Sequence, residues 1–220
     1  MLFEQLLVIH DRQPASAAMN MAIDEALLEE TTLPVLRFFG WRRPALSFGY
    51  FNRFAEVSRE AGDRELVRRW TGGGSVPHGH DLTYSLVTPI SNRAATSVPT
   101  AIYAAVHRAI RDALNEQGIL ADLAGSTAPK ISESCFSNPV TDDVLLNGRK
   151  IAGAAQRRTR RGFLHQGSIQ LANLPRSFRD RLAVALGTNV REAAFSTSLL
   201  ARASALAEQK YATDDWQHRR

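Results

Sequence analysis

The chain has 220 residues, 44% hydrophobic and 22% charged, which excludes disordered and fibrous classes and points to one ordinary globular domain. Its one cysteine, Cys135, excludes an intrachain disulfide framework and a cysteine-rich zinc site. A formal net charge of +5 is a mild basic excess that suits an anionic partner, whether nucleic acid, lipid surface or acidic protein.

Phe3 to Ile9 is short and apolar between polar flanks, as an early strand would be. Pro14 and Ser16 announce a helix on which Met19, Ala22, Ile23, Ala26 and Leu27 recur at i, i+3, i+4 spacing. Pro34 ends it, and Val35–Phe39 and Ala45–Tyr50 read as strands around a Trp41-Arg42-Arg43-Pro44 turn. Leu66–Trp70 and Asp81–Val87 are further strand segments. The clearest helix runs from Pro99 to Gln117, with Ile102, Val106, Ala109, Ile110 and Ala113 on one face and Gly118 as its stop. The polar stretch Gly125 to Asn138 reads as a loop. Val144–Leu146 and Arg149–Ala155 flank Asn147-Gly148, the strongest short hairpin signal. Phe163–Leu171 reads as a strand, followed by a helix begun by Pro175 and a last helix from Leu199 to Tyr211. The sum is an α+β fold, a largely antiparallel sheet with helices packed against it. No apolar stretch nears the roughly 18 residues of a membrane helix. The start, MLFEQLLVIHDRQ, has no basic leader region and carries Glu4 in its apolar run, so a cytoplasmic protein without signal peptide is expected.

Three segments depart from what a plain domain needs. In Arg68-Arg69-Trp70-Thr71-Gly72-Gly73-Gly74-Ser75-Val76-Pro77-His78 the three glycines cost conformational entropy, so they belong where the backbone takes positive φ or presses on a ligand. A flexible hairpin loop is the plainer reading. No Gly-Lys-Ser/Thr follows, so this is not a nucleotide P-loop. In Asn147-Gly148-Arg149-Lys150-Ile151-Ala152-Gly153-Ala154-Ala155-Gln156, strand alternation would put Lys150 on the face of Ala152 and Ala154, beside a slot for something else. A lysine snorkelling at a sheet edge is the alternative. Cys135 lies in a polar, serine-rich stretch, where a thiolate activated by a nearby cation such as Lys150 would be nucleophilic; a small inert thiol is the alternative. The run Arg157, Arg158, Arg160, Arg161 reads as solvated charge or as a docking patch for an acidic partner. No aromatic residues interleave it to stack bases, which argues against nucleic acid. His78, His80 and His165 are too scattered for a metal site.

Together these segments resemble the biotin/lipoate protein ligase and octanoyltransferase superfamily over nearly the whole chain. The resemblance rests on Asn20-Met21-Ala22-Ile23-Asp24-Glu25, Phe39-Gly40-Trp41 through Ser47-Phe48-Gly49-Tyr50-Phe51, the arginine–glycine segment ending at His78, Gly148-Arg149-Lys150-Ile151-Ala152-Gly153, and His165-Gln166-Gly167-Ser168-Ile169. It implies a lipoate-ligase-like catalytic domain spanning 1–220 with no accessory domain. Cys135-Phe136-x-x-Pro139 and the ending around Lys210, Tyr211 and Trp216 resemble the cysteine-dependent octanoyltransferases, whereas Asp143-Val144-Leu145-Leu146-Asn147-Gly148 is closer to the ligase wording.

The resemblance implies catalytic Cys135 and Lys150, with Arg69, Thr71, Gly72, Gly73, Gly74, His78, Gly153 and Ala155 holding substrate and no metal. An apolar tunnel would be lined by Phe38, Phe39 and Phe48. The implied activity moves an octanoyl or lipoyl group from acyl carrier protein, or an H-type protein, through a Cys135 thioester to a lysine of a lipoyl domain. Such acceptors are glycine cleavage H protein or the 2-oxoacid dehydrogenase E2. No cofactor is then needed, and a monomer with no nucleic-acid or membrane partner is expected. Two alternatives are an ATP-dependent lipoate ligase, with ATP and Mg and an acyl-adenylate, and a non-catalytic lipoyl-domain-binding relative.

Overall fold

The computed structural model describes residues 1–127, 136 and 138–219. Its strands and helices follow one another as β1 (Phe3–His10), α1 (Ala17–Glu30), β2 (Val35–Phe39), β3 (Ala45–Phe48), α2 (Phe54–Ala61), β4 (Glu65–Arg68), β5 (Val76–His78), β6 (Leu82–Pro89) and α3 (Pro99–Asn115). After these come β7 (Asp122–Leu123), β8 (Val144–Leu146), β9 (Arg149–Thr159), β10 (Gly162–Ile169), α4 (Phe178–Leu186), β11 (Gly187–Glu192), α5 (Thr197–Leu206) and α6 (Asp214–Gln217). A π-helical turn, Ala207–Tyr211, joins the last two helices.

Eight strands form the main sheet in the order β11-β1-β2-β6-β10-β9-β8-β7. It is antiparallel except where β1 runs parallel to β2 and β11. A second sheet, β4-β3-β5, lies beside it. The Trp41–Pro44 turn therefore does not close a hairpin: it carries the chain from one sheet to the other. Short α2 places Phe54, Val57 and Ala61 at helical spacing over only eight residues and is not among the expected elements; neither are the edge strands β5 and β11, which carry little apolar periodicity.

Strand alternation divides the core. Leu36, Phe38, Leu86 and Phe163 face α3 and α4, packing with Ile102, Val106, Ile110 and Leu182. Val35, Phe39, Val87 and Leu164 face α1 and α5, packing with Met21, Ala22, Leu27, Leu199 and Ala203. The molecule is thus helix, sheet, helix, with α1 buried along most of its length between the sheet and α5. Ser16 caps α1 by accepting from the Met19 amide at 3.3 Å, and α3 starts on Pro99 at a first-turn position, where a missing N–H costs nothing. Asn147 and Gly148 take φ of 51° and 76°, the paired left-handed residues that a two-residue hairpin turn requires. The expected loop Gly125 to Asn138 falls largely outside the described residues. Among the described residues no helix is long and apolar enough to cross a membrane.

Candidate active site

On the α1 face of the main sheet, two cross-strand rows make a floor. One runs Phe39, Thr83, Ser168, Gly153 from β2 to β9, and the next runs Arg37, Ser85, Gln166, Ala155. A mainly apolar pocket stands on this floor, lined by Met21, Phe39, Trp41 and Val76 and, among polar groups, by buried Ser47, Arg69 and His78, with Gly73 of the glycine run beside them. Of the three phenylalanines expected to line a tunnel, only Phe39 does so. Phe38 points to the opposite face with α3, and Phe48 packs in the small core with Val57 and Ala61.

The glycine run is held from inside. Arg69 is buried; its guanidinium donates to the Gly72 carbonyl at 3.0 Å, the Gly74 carbonyl at 2.7 Å and Ser47 Oγ at 2.7 Å. Gly73 has φ of +85° and a Cβ there would meet Ala155 at 3.5 Å, so the loop touches β9. Gly49 has no side chain because a Cβ would collide with the Gly73 carbonyl oxygen. Thr71 donates to Gln166 at 2.8 Å, and Gln166 donates to Asp24 at 2.7 Å. Asp24 in turn pairs with buried Arg37 at 2.7 Å, and Arg37 also binds Asp11. The loop is therefore tied to a buried ion network under α1. Arg68 donates to backbone carbonyls of Tyr50, Asn52, Trp216 and Gln217, locking the C-terminal helix behind the loop.

His78 is the centre of a relay. Its Nε2 lies 2.6 Å from Ser47 Oγ and its Nδ1 lies 2.8 Å from Asp81 Oδ2, while its ring stacks on Trp41 at 4.1 Å. Asp81 also accepts from Ser168 at 2.6 Å and Thr83 at 2.8 Å. Because Arg69 donates to Ser47, the serine proton is the one that goes to Nε2, which places the histidine proton on Nδ1 facing the carboxylate. Burial pushes the imidazole below its usual value, with Asp81 opposing and Arg69 adding to the shift. Burial raises the Asp81 carboxyl, but His78, Ser168 and Thr83 outweigh it and hold it below the usual range.

Lys150 corrects the alternation expected for it. Val144 pairs with Ala152 but Leu145 pairs with Lys150, a register shift that inserts one residue into β9. The bulge turns Lys150 away from the expected Ala152/Ala154 face and lays it against Gly153, where a Cβ would meet Lys150 Cε at 2.5 Å and Nζ at 2.8 Å. There Nζ pairs with Asp143 Oδ2 at 2.8 Å, both side chains being buried. Asp143 also accepts from the Tyr103 hydroxyl and from the Val140 amide at 2.7 Å. Lys150 Nζ stands 5.4 Å from the centre of the Phe136 ring. Cys135 lies outside the described residues.

Of the expected site residues, Arg69, Gly73, His78, Gly153 and Ala155 line one pocket; Gly72 and Gly74 are tied to it through Arg69 and Thr71 through Gln166, and Lys150 lies against Gly153. Asp143, Tyr103, Ser47, Asp81 and Gln166 were not singled out in the sequence. Asp143 had a signal: a carboxylate just before β8, one hairpin turn from Lys150. The other partners come from segments far apart in the chain, and only the fold brings them together. Among the described residues no group of three His, Cys, Asp or Glu is placed to hold a metal ion.

Comparison with known proteins gives the family and the fold. The family profile described as lipoyl protein ligase A/B catalytic domain matches residues 16–210. Octanoyltransferase LipM of Carboxydothermus hydrogenoformans is 38% identical over 165 residues, covering 70% of this chain and 61% of the relative. LipM of Bacillus subtilis is 36% identical over 177 residues, covering 73% of this chain and 64% of the relative. The chain therefore spans about three-fifths of the length of these curated relatives. Among solved structures, Thermoplasma acidophilum protein Ta0514 with lipoic acid bound superposes with a TM-score of 0.77 at 21% identity, covering both chains fully. Lipoate-protein ligase A bound with ATP gives 0.74 at 21%, covering 99% of each chain. These two likenesses carry the fold, and the profile with the relatives carries the family: the chain belongs to the lipoyl protein ligase A/B catalytic domain family.

Proposed function

We propose that the chain is an acyltransferase of protein lipoylation, acting as one catalytic domain. It moves an octanoyl or lipoyl group from acyl carrier protein, or an H-type protein, to a lysine of a lipoyl domain. The observation that carries this reading is the buried Lys150–Asp143 pair set against Gly153, a residue that also floors an apolar pocket. The likeness to relatives named octanoyltransferases supports it.

In the first step the Cys135 thiolate attacks the donor thioester, a new C–S bond forms and the donor thiol leaves. In the second, the acceptor lysine amine attacks the acyl-enzyme, an amide forms and the Cys135 thiol is released. Thioester exchange is nearly balanced, so the first step needs no ATP, and amide formation makes the second favourable. Lys150 would face the acyl carbonyl as negative charge develops on its oxygen, with Asp143 fixing the ammonium in place. The glycine loop and pocket would hold the chain, so that binding energy orients the reacting carbon.

The test is the intact mass of the protein after incubation with octanoyl-acyl carrier protein without ATP. A gain of one octanoyl group, released by neutral hydroxylamine and absent in Cys135→Ser, is expected. An acyl-adenylate formed only with octanoate and ATP would replace this reading with the ligase. Binding of lipoyl domains without turnover under either condition would leave a non-catalytic relative.

A further inference from the structure

The arginine run at the end of β9 splits by strand alternation. Arg158 turns to the α3 side, donating to the Ala95 carbonyl at 2.8 Å and covering the Phe163 ring. Arg157 turns to the other side, over the rings of Tyr50 at 5.1 Å and Trp70 at 5.3 Å. There it joins a closed circuit of alternating cations and rings. Arg219 stands 4.7 Å from Tyr50 and 4.7 Å from Trp216, and Lys210 stands 4.3 Å from Trp216 and 4.5 Å from Trp70.

Among the described residues three cations thus converge on three rings; Glu25 pairs with Lys210 at 2.6 Å, and Glu29 lies within the field of Lys210. Burial lowers the Lys210 ammonium, Glu25 resists, and Arg219 and Arg157 lower it further, so the three cations lie within one another's field. Like charges held this closely favour an incoming anion. Rings beneath the guanidinium faces leave the N–H edges to bind oxygen atoms in pairs.

The circuit is continuous with the candidate active site on three strands of evidence from the chain itself. Trp70 precedes Thr71, the Tyr50 amide donates to the Thr71 carbonyl at 2.8 Å, and Arg157 follows Ala155 by two residues. Along extended β9, Arg157 lies about 13 Å from Gly153. A compact ring of three cations suits one multivalent oxyanion better than the scattered carboxylates of a protein surface.

We propose that this circuit of Arg157, Lys210 and Arg219 with Tyr50, Trp70 and Trp216 receives a phosphate group carried on the thiol arm of the thioester donor. It rests on the acyl-transfer reading and adds the donor's second recognition point, remote from the reacting carbon.

Two small donors test it: octanoyl-pantetheine, and octanoyl-4′-phosphopantetheine, which differs only by the phosphate. The wild-type protein should be acylated by both, with a KM about tenfold lower for the phosphorylated donor, the scale of a charge-assisted contact. Arg157→Gln and Arg219→Gln should bring the ratio of the two KM values towards one. Arg157→Lys should keep part of it, and Arg160→Gln, beyond the strand, should keep all of it. Tryptophan fluorescence titrated with 4′-phosphopantetheine, against pantetheine, reads the same site without turnover, and only the former should bind. Equal KM values in the wild type would overturn the proposal while leaving acyl transfer intact; failure of both donors to acylate would instead count against the acyl-transfer reading. If the two glutamine variants raised the KM of a lipoyl-domain acceptor and left the donor ratio unchanged, the circuit would be an acceptor surface and the proposal would be wrong.

Discussion

Asp81 does not line the pocket, yet it sets the state of two residues that do. Its carboxylate fixes the His78 proton on Nδ1, Nε2 then accepts from Ser47, and Ser47 is free to accept from Arg69, which holds two carbonyls of the glycine loop. Asp81→Asn replaces the carboxylate with an amide that can turn its NH₂ towards Nδ1. The relay should then reverse, with the proton on Nε2 and Ser47 forced to compete with Arg69. The expected result is a fall in kcat of about tenfold with a smaller change in KM, since one charged hydrogen bond is worth about 1.5–3 kcal/mol. Nitrogen NMR of His78 should show the change of tautomer; an unchanged tautomer with unchanged kcat would mean the relay only packs. Lys150 and Asp143 test a different distinction. Removing either alone leaves a buried charge, so Asp143→Asn or Lys150→Met should cost about 3–5 kcal/mol in urea unfolding. The pair Lys150→Met with Asp143→Leu should recover most of that stability and none of the acyl transfer. Recovery of transfer would remove Lys150 from the mechanism.

At the scale of the elements, β9 carries most of what positions the site, and it shows which parts of the fold a sequence reveals. The Asn147-Gly148 turn was legible because its cause is local: two residues that tolerate positive φ between apolar runs. The helix α3 was legible for the same kind of reason, an apolar stripe of the right period. The bulge at Lys150 was not, because it depends on how Val144 and Leu145 seat against a partner strand. That single insertion decides that Lys150 meets Gly153 and Asp143. Likewise Phe38 and Phe39 are equally apolar, and only strand pairing shows which of them faces the pocket. Gly153→Ala isolates the bulge geometry. The new Cβ would press on the end of Lys150 and lie 3.5 Å from Asp143 Oδ1 without striking backbone, so the chain should still fold, at a cost in urea unfolding no larger than that of Lys150→Met. The ammonium would be displaced from Asp143, and transfer should fall by about tenfold or more for the loss of one oriented charge. Gly49→Ala makes the contrasting case. Its Cβ would strike the Gly73 backbone carbonyl, so stability and activity should fall together.

At the scale of the whole molecule, the layer between the sheet and α3 contains polar groups that have no share in the pocket. His165 and His107 are fully buried there, their rings 6.2 Å apart, with Tyr84 and Tyr103 beside them. Burial pushes His165 down to about 3, and burial with the fields of His165 and Lys150 pushes His107 well below 6.5. His107 Nε2 has no hydrogen-bond partner among the described residues, which fits a ring kept neutral. The folded state therefore holds both histidines without a proton while the unfolded chain takes one up on each near 6.5. Their contribution to stability is present above that value and is lost as pH falls, at about 1.4 kcal/mol per pH unit for each group. Between pH 7 and 5 the two together should remove roughly 4 kcal/mol, before ordinary carboxylates begin to titrate. For a domain of this size that is a drop in Tm of about 8–16 °C, measurable by calorimetry. His165→Gln, which keeps a hydrogen-bonding side chain towards Gln156 and Tyr84 and cannot be protonated, should reduce the slope by about half. A slope unaltered by that change would place the acid sensitivity elsewhere, with His78 and its carboxylate partner on the other face of the sheet as the next groups to replace.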